Sequence, residues 1–153
     1  MIYITKINDR LHLCSLILIT IAIIANMGCA RTIQAHAIPD EEMHTEAARI
    51  YIFRPSLMGF AIKTNIYENN LISGQIGPMG YLAWDTKPGD ITLEGGQDFV
   101  KILAQPGKAY YFKLRTKYFN LSLKSAFSLK KISEQDGKIY LEKLKQPQVK
   151  VVS

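Results

Sequence analysis

Cysteine is almost missing from this sequence: Cys14 and Cys29 are the only two. Cys14 lies inside an apolar run near the N-terminus, so a chain trimmed of that run keeps one cysteine and no disulfide. A folded domain must then be stable through apolar burial alone. Histidine is equally scarce, and beyond the N-terminal region only His36 and His44 remain, eight residues apart in a polar stretch. That spacing is poor for zinc, which wants clustered ligands. Nucleophilic catalysis needs a nucleophile, a base and an orienter together, and the sequence supplies no such set and no G-x-S-x-G elbow. There is no G-x-G-x-x-G or phosphate loop; Gly95-Gly96 and Gly77-Pro78-Met79-Gly80 read as hairpin punctuation. Asp85, Asp90, Glu94 and Asp98 mostly stand in or beside turns, where acids serve the backbone. The expectation is no catalytic residue, no metal and no cofactor, hence not an enzyme.

A long membrane-spanning run is also lacking. Leu13 to Ala25 is about 13 residues, short of the roughly 20 needed to cross the hydrocarbon core. With Lys6 and Arg10 before it and small residues after it, the run reads as a secretory signal peptide. Gly28-Cys29 then resembles a lipoprotein processing site, although Asn26 and Met27 stand where leucine and a small residue are usual. Gly28-Cys29-Ala30 also suits ordinary signal peptidase; Ala35-His36-Ala37 suits it in pattern but lies far from the run. The favoured reading is a chain lipidated at Cys29, palmitate included, and anchored in the cell envelope. Ala30 after the cysteine suggests an outer-membrane destination facing the periplasm, by analogy with lipoprotein sorting.

What is present is a basic, β-textured remainder. Loss of Lys6, Arg10 and Asp9 with the leader takes the formal charge from +6 to +5. Lys108 to Lys145 holds ten Lys/Arg against Glu134, Asp136 and Glu142. Such a stretch suits either a solvated sheet face or anionic head groups. Lys113, Arg115, Lys117, Lys124, Lys130 and Lys131 form one electropositive face if their strands are neighbours. An exported leader argues against a nucleic-acid partner.

The residue numbering divides as 1–28 signal peptide, 29–47 lipidated start and flexible tether, 48–146 folded domain, and 147–153 tail. As a coil the tether would span roughly 23 Å. From Arg49 onward, short apolar stretches alternate with turn residues. Ile50 to Phe53 is a strand stopped by Arg54-Pro55, and alternation from Phe60 through Ile66 is another. Glu68-Asn69-Asn70 marks a tight turn before Leu71 to Ile76. Tyr81 to Asp85, Ile91 to Leu93, Phe99 to Ala104 and Tyr110 to Arg115 follow, separated by Lys87-Pro88-Gly89-Asp90 and Gln105-Pro106-Gly107-Lys108. Seven or eight short strands favour a small antiparallel β-sandwich. Ser133 with Asp136 resembles a capping box, predicting a helix over Glu134 to Lys145; Asp136-Gly137 is a competing hairpin signal.

Ala48 to Pro55, Ile66 to Asn70 before Ser73-Gly74, Pro88 to Leu93, and Pro106 to Phe112 follow one another in a set order. Together they resemble the bacterial lipoproteins grouped as domain of unknown function family 2846. Asn70 stands where glycine is usual and Ile91 where histidine is frequent. The resemblance covers about Ala48 to Leu144 and implies a lipid-anchored, β-rich envelope protein. It implies no activity.

The expected function is a non-catalytic structural or protein-interaction module anchored to a membrane through its N-terminal lipid, with an envelope protein as partner. The alternative is a cell-wall sugar or peptide binder using Trp84 and Tyr81 as an aromatic platform. A platform would leave Trp84 partly exposed; an interaction module would bury it and expose a patch or sheet edge. The expected core is Phe60, Ile62, Ile66, Ile91, Leu93, Tyr110, Phe112 and Leu114. Phe112→Ala is expected to cost about 3–5 kcal/mol of stability in a denaturant titration. An unchanged midpoint would show that the strand phase is wrong.

Overall fold

The computed structural model describes residues 31–39, 42–59, 61–119, 125–144 and 146–149, with the backbone alone at 117–119 and 125–126. Cys29, Phe60, and the side chains of Lys117 and Lys124 lie outside the described residues. In chain order the elements are β1 (Ile33–Gln34), β2 (Ala48–Arg54), β3 (Thr64–Glu68), β4 (Leu71–Ile76), β5 (Gly80–Thr86) and β6 (Gly89–Gly95). Then come β7 (Asp98–Ala104), β8 (Ala109–Phe119), β9 (Ser125–Lys131), a helix α1 (Glu134–Lys143) and β10 (Gln148–Val149). They build two packed sheets, ordered β10-β1-β4-β3-β6-β7 and β5-β2-β8-β9. The expected sandwich is present. Its pairing is mostly antiparallel, but β2 runs parallel to β8 and β1 parallel to β10.

Alternation decides what each strand buries. On β2, Ile50 and Ile52 enter the layer between the sheets, while Tyr51 and Phe53 face outward. Ile66, Leu82, Trp84, Leu93, Phe112 and Leu114 complete that layer with two per cent exposure or less. Of the expected core, Ile66, Ile91, Leu93, Tyr110, Phe112 and Leu114 are buried, and Ile62 is partly buried against them. The turn between β3 and β4 places both Asn69 (φ 48°) and Asn70 (φ 67°) in the left-handed region that asparagine tolerates.

Three boundaries differ from the sequence reading. The tether is not free along its length: Thr32 and Gln34 are buried, and β1 pairs with both β4 and β10. Gln34 is held because its side chain accepts from Ala83 N at 2.9 Å and donates to His36 O at 2.8 Å. The tail likewise joins the sheet through β10. Finally, β3 begins at Thr64 rather than Phe60, because the preceding loop turns back to supply carbonyls to Arg54. Arg54 Nη1 donates to Ile62 O at 2.6 Å and to Ile76 O at 3.3 Å. Its Nη2 donates to Met58 O at 2.9 Å and Gly59 O at 3.1 Å.

The C-terminal segment is helical, and its start is the expected cap. Asp136 N donates to Ser133 Oγ at 3.1 Å, and Ser133 Oγ donates to Asp136 Oδ2 at 2.8 Å. The helix lies over the outer face of the four-stranded sheet, enclosing a second cluster of Phe53, Tyr81, Ala83, Tyr111 and Leu144. Gly137 serves this packing rather than a hairpin. A Cβ at that position would stand 2.2 Å from Tyr111 Cδ1. Gly137→Ala should therefore lower stability by about 1–3 kcal/mol through overpacking, although alanine is the better helix former by about 1 kcal/mol. The urea midpoint measures the balance, and a rise in it would mean that the helix stands off Tyr111.

Candidate functional site

The aromatic pair proposed from the sequence does not assemble. Trp84 and Tyr81 are three apart on β5, which sends them to opposite faces of the sheet. Trp84 is 1% exposed in the central layer, and Tyr81 is buried beneath α1 against Phe53. Trp84 Nε1 donates to Glu68 Oε2 at 2.5 Å, and the Thr86 hydroxyl donates to the other oxygen of the same carboxylate. Glu68 thus clasps the two sheets at one end of the sandwich. His36 lies stacked on Trp84, with ring centroids 6.5 Å apart, so the histidine packs on the indole as part of the chain that closes over it.

A polar groove forms elsewhere, where the parallel strands β2 and β8 start. Register pairs Arg49 with Ala109 and Tyr51 with Tyr111, so one face carries Arg49, Tyr51 and Tyr111 together. The groove has a volume of about 480 Å³ and is lined also by Lys108 and, from α1, by Glu134 and Lys138. Tyr51 and Tyr111 stack with centroids 5.1 Å apart and planes 3° from parallel. Arg49 donates to Asp85 at 2.6 and 3.0 Å and to Glu42 O at 3.2 Å. These bonds to Asp85 hold the guanidinium well above its ordinary pKa. Lys138 is exposed and raised by Glu134, to which it is paired at 2.7 Å. The arrangement gathers hydroxyl, guanidinium and ammonium groups around a modest cavity, chemistry suited to holding a polar ligand. These residues escaped the sequence reading because their meeting depends on a parallel pairing that no turn signal announces.

The outer face of the six-stranded sheet offers a different surface. Register aligns Ile72, Tyr67, Glu94 and Phe99 across β4, β3, β6 and β7. Phe99 is 61% exposed and Leu103, on the same face of the edge strand β7, is 64% exposed. The proposed electropositive face is assembled only in part. Lys113 and Lys130 are register partners, but Lys113 donates to the Tyr140 hydroxyl at 2.5 Å and lies over its ring. Lys131 turns to the ring of Tyr110 instead.

Comparison with known protein families, with curated proteins and with solved structures finds no match. Among the described residues, no helix is long and apolar enough to cross a membrane.

Burial pushes the phenols of Tyr81 and Tyr111 above the ordinary 10.0. A phenol with a raised folded pKa stays protonated in the fold while the unfolded chain already ionises. The stability it contributes is whole below pH about 10 and is lost as pH climbs through the folded value. Denaturant midpoints should therefore fall steeply above pH 10, and the variant with Tyr81→Phe and Tyr111→Phe should fall less. Equal slopes for the two proteins would show that neither phenol is held back.

Proposed function

We propose that this chain is an exported envelope lipoprotein, anchored through Cys29, whose sandwich is a non-catalytic protein-interaction module. The observation that carries the interaction reading is the pairing of a dry Trp84 with apolar side chains left outside. Phe99 and Leu103 stand exposed on the edge strand β7, on either side of the exposed Lys101. The leader and Gly28-Cys29 support the anchor, and Ala30 supports an outer-membrane, periplasm-facing location. The strand-and-turn resemblance to domain of unknown function family 2846 agrees with such a protein. A ligand-binding reading is favoured by one observation only, the groove at Arg49, Tyr51 and Tyr111; it no longer involves Trp84.

Cys29→Ser should abolish palmitate labelling and release the chain from membranes. Labelling that survives the change would sink the anchor. A photocrosslinker at Phe99 should give a discrete protein adduct in intact envelopes, and one at exposed Lys130 should not. If neither position, or both alike, gives an adduct, the interaction reading fails.

A further inference from the structure

We propose that the loop carrying Leu57 and Met58 is a membrane-contacting foot, seated among the lipid head groups of the same bilayer that holds the anchor. The proposal rests on lipidation of Cys29. Leu57 is 64% exposed and Met58 55%, adjacent apolar side chains between β2 and β3. Their loop is not free to fold back over them. The Met58 and Gly59 carbonyls are bound by the Arg54 guanidinium, and Ile62 N closes a turn onto Gly59 O at 2.9 Å.

The anchor would emerge at this same end of the sandwich. Thr32 is buried there: Gly77 N donates to its hydroxyl at 3.0 Å, and its side chain lies against Gly80. Gly80 is the register partner of Arg54, the residue that shapes the loop. Ile76, whose carbonyl Arg54 also binds, ends β4 one residue before Gly77. From Cys29 to Thr32 is three residues, a reach of about 10 Å at most whatever path they take. A lipid at Cys29 therefore holds this end of the domain against the bilayer. Arg31 and Lys63 are exposed here and suited to lipid phosphates, while Asp98 at the neighbouring β6–β7 corner leaves the charge mixed.

Two apolar side chains are too few to recruit a soluble domain, but the anchor makes their insertion intramolecular. The foot would fix orientation. Arg49 stands at the other end of β2 from Arg54, so the groove would point away from the membrane.

The mature chain lipidated at Cys29 has no free thiol, so Leu57→Cys gives one site for an environment-sensitive bimane label. Full-length lipidated protein is reconstituted into vesicles of phosphatidylethanolamine and phosphatidylglycerol, with and without brominated acyl chains. Bimane at 57 should shift to the blue and be quenched by bromine; bimane at Lys108→Cys, in the groove, should do neither. Palmitate labelling is read on the same samples. A palmitoylated chain in which position 57 is no more quenched than position 108 overturns the foot and leaves the anchor standing. Absence of palmitate overturns both.

Discussion

A single buried cation organises one end of this molecule. Arg54 is fully enclosed, and among the described residues no carboxylate answers it. Moving a guanidinium out of water costs several kilocalories per mole unless polar groups replace the lost hydration. Here four carbonyls and the Phe127 ring, 5.0 Å from the guanidinium, supply the replacement, while Nε finds no partner. Hydrogen bonds to a charged donor are stronger than neutral ones, so the carbonyls are held firmly in place. They belong to the β2–β3 loop and to the end of β4. The loop is consequently a fixed shape rather than a slack connection, and burial lowers the guanidinium pKa below its ordinary value.

Strand β2 carries this logic along its whole length. Its sequence, Ala-Arg-Ile-Tyr-Ile-Phe-Arg, places an arginine near each end. They are five positions apart, an odd offset, so they face opposite sides of the sheet. Arg54 points inward and is neutralised by backbone dipoles; Arg49 points outward and is neutralised by Asp85. The first solution builds a closed end, with Thr32, Gly77 and Gly80 packed beside it. The second leaves a cavity, because a bidentate ion pair holds the guanidinium beside the stacked rings of Tyr51 and Tyr111. One strand therefore sets two ends of unlike chemistry.

Local signals in the sequence were legible where local physics decides the outcome. The asparagine turn, the proline-glycine turns and the Ser133 cap each depend on residues within a few positions of one another. The alternation of Ile91, Leu93, Tyr110, Phe112 and Leu114 likewise follows from strand geometry alone. Illegible features depended on contacts between distant segments. Alternation from Phe60 through Ile66 looked like one strand, but Arg54 takes the Ile62 carbonyl and the ladder begins at Thr64. Thr32 and Gln34 looked like tether because their reasons for order, Gly77 and Ala83, lie more than forty residues away. Trp84 is buried, as core packing of a large aromatic favours, but its partner Glu68 stayed hidden because it sits in the opposite sheet.

If the proposed anchor at Cys29 holds, the shortened tether changes what a partner could meet. An 18-residue coil would let the domain tumble and present every face in turn. With Thr32 already inside the fold, an anchor at Cys29 leaves little rotational freedom about the attachment. A surface beside the anchored end is then reached only along the membrane plane, and one at the far end only from across the periplasm. Phe99 lies near the Arg54 end of the domain and Leu103 near the Arg49 end, since Asp98 pairs with Gly95 and Ala104 with Gly89. Phe99 and Leu103 therefore mark out the flank of the domain, which under the proposed anchor at Cys29 would run from the membrane outward. Under that anchor, a partner that covers this flank would itself stand beside the domain on the bilayer, whereas a small polar ligand would enter the groove from the aqueous side.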